Sequence, residues 1–219
     1  MNEIELTTIE KALAINLDPL KYGTIAEIGA GQEVARWFFQ AGATAGTVAK
    51  TISAYDMKFS DEIYGPDPEG RYVSRSRLQQ MLEQEFNLII SSVGDHRSGD
   101  SKFFVFADTV AARGYLSQCE CHGWMGARVQ ARPHAKPDDI ILHVRLLDDT
   151  NLEQQDALGV LGVNLIYSAY YLADTLAKEP GLFLRSLKDN LKWGRIEIDF
   201  AEFHGPTLDS INNQHVAPE

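Results

Sequence analysis

Seven residues between a short apolar run and a helical pattern, Glu27-Ile-Gly-Ala-Gly-Gln-Glu33, carry the strongest chemical signal in the chain. Gly29 and Gly31 allow a tight turn, and the helix that follows presents unbonded N–H groups at its N-terminus. Dinucleotide sites use this arrangement with a third glycine three residues further on; here Val34 stands at that position. Asp56 follows at a distance where an acidic residue can grip a ribose. Asp108 ends an apolar run, where α/β enzymes place working residues. Glu33, in the first helical turn, suits the helix dipole but competes with a bound pyrophosphate. Glu27, Gly29, Gly31, Asp56 and Asp108 therefore read as a cofactor site for a nucleotide-type ligand. S-adenosylmethionine fits better than NAD, because its enzymes often begin with an acidic-x-Gly-x-Gly loop of this kind. The alternative is a strand–turn–helix corner whose glycines only permit the bend.

Cys119-Glu-Cys121-His122 gathers three metal-ligand types in four residues, with His96, His134 and His143 as distant candidates. A zinc site needs a second short ligand group, and no second cysteine pair exists, so the expectation is two reduced thiols and no metal. Arg71, Arg75 and Arg77 gather where a helix begins and oppose its dipole, which predicts acidic neighbours or an anionic ligand. Asp148, Asp149 and Asn151 offer oxygens for a magnesium ion but are better suited to capping a helix. No Gly-x-Ser-x-Gly elbow, P-loop or His-Glu-x-x-His occurs, so the sequence names no catalytic residue.

The elements that must position these residues are legible in outline. Residues 3–16 read as a helix, 24–28 as a short buried strand, and 32–41 as a helix stopped by Gly42. Residues 47–55 are rich in β-branched side chains and read as a strand; 64–70 are a Gly/Pro loop. Leu78, Met81, Leu82, Phe86 and Ile89 recur at three and four, which predicts an amphipathic helix over 75–90. Strands follow at 102–108, 123–131 and 139–147; the last two are joined by a link too short for a crossover helix and so pair antiparallel. Helices over 152–176 and 182–191 and a strand over 195–200 complete an α/β fold: a mixed sheet with flanking helices and a Rossmann-like strand–glycine loop–helix near the N-terminus.

The segment Ala157–Ala173 is the most apolar in the chain, but Asp156 and Asp174 close it before it reaches membrane-spanning length. It predicts a helix buried on nearly all sides, inside the core or across a homo-oligomer contact, with Gly159 and Gly162 admitting a close neighbour. Asn164 and Ser168 then need internal hydrogen-bond partners.

Composition narrows the setting. The chain has 219 residues, 44% of them hydrophobic, which predicts one domain with a real core, extending into a longer natural protein. Lys and Arg number 20 against 31 Asp and Glu, a net charge of −11 that disfavours nucleic acid and anionic membranes as partners and leaves a small molecule. The N-terminus lacks a basic region followed by an apolar run, and two cysteines make no disulfide framework; both point to the cytoplasm.

Leu17-Asp-Pro-Leu-Lys-Tyr-Gly23, the Glu27–Glu33 turn, Arg36-Trp-Phe38, Phe106–Arg113, Glu120-Cys-His-Gly-Trp124 and Leu158–Tyr171 together resemble a family of uncharacterised bacterial proteins. Its members often carry names such as TonB-dependent receptor or nicotinate (nicotinamide) nucleotide adenylyltransferase. The residues support neither name. The N-terminal residues do not read as a signal peptide, and His122-Gly123 and His204-Gly205 lack the second histidine of a His-x-Gly-His motif. The resemblance carries no catalytic residue across.

Overall fold

The computed structural model describes residues 6–68, 70–97, 99–114, 120–192 and 195–208. Helix α1 (Thr8–Asn16) opens with a capping box, in which Thr7 accepts from the Glu10 amide and the Glu10 carboxylate accepts from Thr7. Strand β1 (Lys21–Ile28) leads through the two-glycine turn into α2 (Glu33–Ala41), and β2 (Val48–Ile52) follows. Helices α3 (Met57–Tyr64) and α4 (Arg75–Val93) precede β3 (Lys102–Ala111), β4 (His122–Val129) and β5 (Asp138–Leu146). The chain then runs through α5 (Asn151–Tyr171), α6 (Ala173–Lys178) and α7 (Pro180–Ser186) to β6 (Ile196–His204). The expected elements are present, but the strand expected over 47–55 ends at Ile52, and the helix expected over 182–191 lies at Pro180–Ser186. Residues 57–64 form a helix the sequence pattern left unassigned, and the helix expected over 152–176 breaks after Tyr171.

The six strands form one mixed sheet in the order β2-β1-β3-β4-β5-β6. β1 runs parallel to β2 and β3, whereas β3-β4, β4-β5 and β5-β6 are antiparallel. Sequence neighbours β1 and β2 step to one side, and the next crossover returns past β1 to β3. That reversal places a topological switch point at the carboxyl ends of β1 and β3, where open α/β sheets bind ligands.

One face of the sheet is covered by α1, α2, α5 and α7 around Ile25, Phe104, Phe106, Leu161 and Phe183. The other is covered by α4, whose Leu78, Met81, Leu82 and Phe86 pack on Ala26, Val105 and Ala107. Burying these apolar side chains, each worth about 1.5–3 kcal/mol, is what holds the helices to the sheet. Every residue from Ala157 to Ile166 is buried within the chain itself, so α5 needs no partner subunit to hide its apolar surface. Gly162 is the reason α5 sits so close: a Cβ there would lie 2.3 Å from Val34 Cγ2 and 3.0 Å from Phe106 Cζ. Gly159 likewise faces Trp37 and Glu33 of α2.

The polar residues of α5 divide. Asn164 accepts from Lys11 Nζ at 3.0 Å and donates to the Leu187 and Asp189 carbonyls, so it is fully used. Ser168, buried as well, has no hydrogen-bond partner for its hydroxyl among the described residues. Among the described residues no helix is long and apolar enough to cross a membrane.

Candidate functional site

Of the five expected site residues, Glu27, Gly29, Gly31 and Asp108 gather at the switch point. Glu27 and Asp108 are register partners on adjacent parallel strands, so their side chains leave the same face of the sheet, beneath the turn. Both are buried, at 1% exposure each. The Glu27 carboxylate accepts from the Val34 amide at 2.9 Å and the Ala35 amide at 3.1 Å, seven and eight residues along the chain. These are the free N–H groups at the start of α2, and no side chain of Gln32 caps that helix. Glu27 is thus the cap of the helix it precedes.

Asp108 accepts from the Ile28 amide through Oδ1 at 3.2 Å, while its Oδ2 has no partner among the described residues. Burial pushes the Glu27 carboxyl up to about 7, against the pull of its two amide donors and with a further push from Glu33. Burial, then the neighbouring Glu27 charge, pushes Asp108 well above the carboxylate range, with the Ile28 amide opposing. Two buried carboxylates side by side do not ionise together easily, so the pair holds a proton at neutral pH.

The turn above the pair is glycine for different reasons at its two ends. Gly29 has φ +97°, and a Cβ there would meet the Val110 carbonyl oxygen at 2.3 Å, so both backbone and space forbid a side chain. Gly31 has φ +105°, but the atom nearest its missing Cβ is Nε2 of the Gln155 side chain at 3.2 Å, which can move aside. Tyr72, which belongs to no motif, ties this turn to the next loop. Its ring lies 3.6 Å from the position of a Gly29 Cβ, and its hydroxyl donates to the Ala54 carbonyl at 2.7 Å.

Asp56 stands apart from this group. Exposed, it caps α3 by accepting from the Phe59 amide at 2.9 Å, which occupies one of its oxygens. The arginines at the start of α4 meet acids: Arg77, fully buried, pairs with Asp61, and Arg75 pairs with Glu202. Asp148 does not cap α5 but accepts from Arg195 at 2.8 Å; Thr150 caps that helix. Cys119 lies outside the described residues, and among those described no group of three or more His, Cys, Asp or Glu is arranged to hold a metal ion. A shallow depression of about 490 Å³ runs beside the turn along the outer side of α2, lined by Gln32, Glu33, Arg36 and Phe39.

This architecture has solved counterparts. The structure of the competence/damage-inducible protein CihA from Agrobacterium tumefaciens superposes with a TM-score of 0.52, covering 77% of this chain and 98% of that one at 16% identity. A competence-damaged protein (CinA) superfamily member from Enterobacter cloacae gives 0.50 at 14% identity, over 77% and 95% of the two chains. A competence or damage-inducible protein from Enterobacter asburiae gives 0.50 at 14%, over 75% and 99%. The fold is that of the competence/damage-inducible proteins. At these identities the likeness is one of fold alone. It corrects the resemblance drawn from the sequence. The chain matches neither a TonB-dependent receptor nor a nicotinate nucleotide adenylyltransferase, but an open mixed sheet of the CinA kind. The segments that carried that resemblance include the β1 turn, β3, the start of β4 and α5. No protein-family model matches the sequence, and no curated protein matches it.

Proposed function

We propose that the chain is a small-molecule binding domain that holds a nucleoside-type ligand without phosphates over the Gly29–Gly31 turn. The single observation that carries this reading is the buried Glu27–Asp108 pair directly beneath that turn at the β1/β3 switch point. A turn of glycines lets a ligand approach the backbone, and carboxyls below it favour a cation or a hydrogen-bond donor above. The Val34 and Ala35 amides, which a pyrophosphate would use, are already taken by Glu27. S-adenosylmethionine, a sulfonium cation, suits this arrangement and a chain of net charge −11 better than NAD or ATP.

Thermal-shift titrations test the choice of ligand. S-adenosylmethionine is expected to raise the melting temperature at millimolar concentration, with NAD and ATP giving none or less. Gly31→Val is expected to abolish that rise. The variant itself loses about 1–3 kcal/mol, because a β-branched residue must then hold a positive φ while only the mobile Gln155 side chain crowds it. If none of the three ligands raises the melting temperature, the reading fails. A protein-interaction role then takes its place, supported by the shallow depression along α2 and by Phe39 on its rim, 54% exposed.

A further inference from the structure

The sheet carries a second group of chemistry-bearing side chains, three strands long, on the face opposite the Glu27–Asp108 pair. His122 begins β4, His143 lies in β5 and Asp199 in β6. His122 pairs in register with Arg145 and His143 with Trp124, so the antiparallel ladder sets these side chains next to each other. His122 Nδ1 lies 3.0 Å from His143 Nε2, and His143 Nδ1 lies 2.5 Å from Asp199 Oδ1. The second oxygen of Asp199 accepts from Arg145 Nε at 2.8 Å, and Arg145 also faces Glu120 at 3.7 Å. The three members of the chain are half-buried, with Trp124 packed against His143 at a ring separation of 4.8 Å.

The carboxylate sets the direction of the first hydrogen bond in this row. A carboxylate only accepts, so the proton between Asp199 and His143 sits on Nδ1 of His143. In the neutral form of His143, Nε2 then carries the lone pair and accepts from the Nδ1–H of His122. That leaves Nε2 of His122 unprotonated, and it makes no hydrogen bond among the described residues. A proton arriving there can be shared inward: Nδ1 of His122 passes its proton to His143 Nε2, and the resulting imidazolium lies against the Asp199 carboxylate. A base oriented by a second group and backed by a carboxylate is the arrangement that proton-transfer sites use.

We propose that Asp199, His143 and His122 form a proton relay whose outlet, Nε2 of His122, is a general base for a weakly acidic O–H group, water or a ligand hydroxyl, at a site separate from the glycine turn. In the step itself the O–H bond breaks, its electron pair stays on oxygen, and the proton moves to Nε2. No other reactant is needed. His143 and Asp199 are positioning residues; His122 alone meets the ligand. The surroundings keep His122 ready: burial first, and then His143, hold its pKa below the usual imidazole value, with Glu120 opposing.

Nitrogen-15 NMR of the imidazole rings at pH 8, with diethyl pyrocarbonate as a chemical probe of unprotonated ring nitrogen, tests the relay. The expected spectrum has a proton on Nδ1 and none on Nε2 of His122. Peptide mapping after brief treatment is expected to find His122 carbethoxylated before the exposed His96. Asp199→Asn keeps the side-chain shape, removes the charge, and is expected to slow modification of His122 by roughly tenfold, the effect of about one unit of basicity. Asp199→Glu restores much of that rate, whereas a merely structural role for Asp199 leaves it unmoved in both variants. A His122 ring protonated at Nε2, or an Asp199→Asn protein with unchanged His122 reactivity and an unchanged fold by circular dichroism, overturns the proposal.

Discussion

The two halves of the sheet treat their acids in opposite ways. In the parallel half, Glu27 and Asp108 are shut beneath a turn and a helix, so burial dominates and both are pushed up. In the antiparallel half, burial also raises Asp199, but the hydrogen bonds from Arg145 and His143 outweigh it and hold that carboxyl below the usual range. Connectivity makes the difference. Parallel strands need crossover helices, whereas β4 and β5 join directly and the helices between β5 and β6 lie on the other face, so the face beside α4 keeps half-exposed, charge-paired side chains there. The covered half suits holding a ligand over a fixed turn, and the open half suits moving a proton.

The largest way to break this contrast is to lift the cover. Gly162→Leu pushes α5 away from Val34, whose amide Glu27 binds, and is expected to cost about 3 kcal/mol or more in urea unfolding. A variant as stable as the parent, or more so, would mean that α5 does not clamp α2 onto the acid pair. In an exposed helix the same change is favourable by up to about 1 kcal/mol.

A smaller change acts on the charges alone. Both carboxyls have folded-state pKa values above their ordinary ones, so the proton they hold stabilises the fold most below about pH 4. That contribution is lost as pH rises through about 7 for Glu27 and higher for Asp108. Asp108→Asn keeps the Oδ1 acceptor for the Ile28 amide and removes one charge of the pair. It is expected to flatten the decline in stability between pH 5 and pH 8 and to make the variant more stable than the parent at pH 8 by about 1–3 kcal/mol. Equal pH slopes in denaturant unfolding of the two proteins would count against a shared proton.

Much of the parallel half was legible because its signals are local. Two glycines two positions apart gave the turn, β-branched and apolar runs gave β1 and β3, and the three–four spacing from Leu78 to Ile89 gave α4. The role of Glu27 was not. An acid before a glycine turn reads as a ligand contact, and only the packed helix reveals that it bonds amides seven and eight residues ahead. Asp56 illustrates the same ambiguity: its place suited a ribose, while the chain uses it as the cap of a helix the pattern had not announced. The relay left little local trace: His122 and His143 stood out only as metal-ligand types, and Asp199 not at all. His122, His143 and Asp199 meet through the registers of three antiparallel strands, one of them interrupted by a bulge after His143. No spacing rule connects residues 21 and 56 positions apart. The one available hint was that two strands joined by a short link must pair antiparallel, which brings His122 and His143 within reach once the register is known.

One measurement reads both halves at once: carboxyl-detected carbon-13 NMR of the labelled chain, titrated across the range in which it stays folded. Glu27 is expected to titrate near 7 and Asp108 well above the ordinary carboxylate value, while Asp199 titrates below it. Glu27 and Asp108 both titrating near 4, the range of solvated carboxylates, would contradict the account, because the acids beneath the glycine turn would then be neither shut away nor sharing a proton.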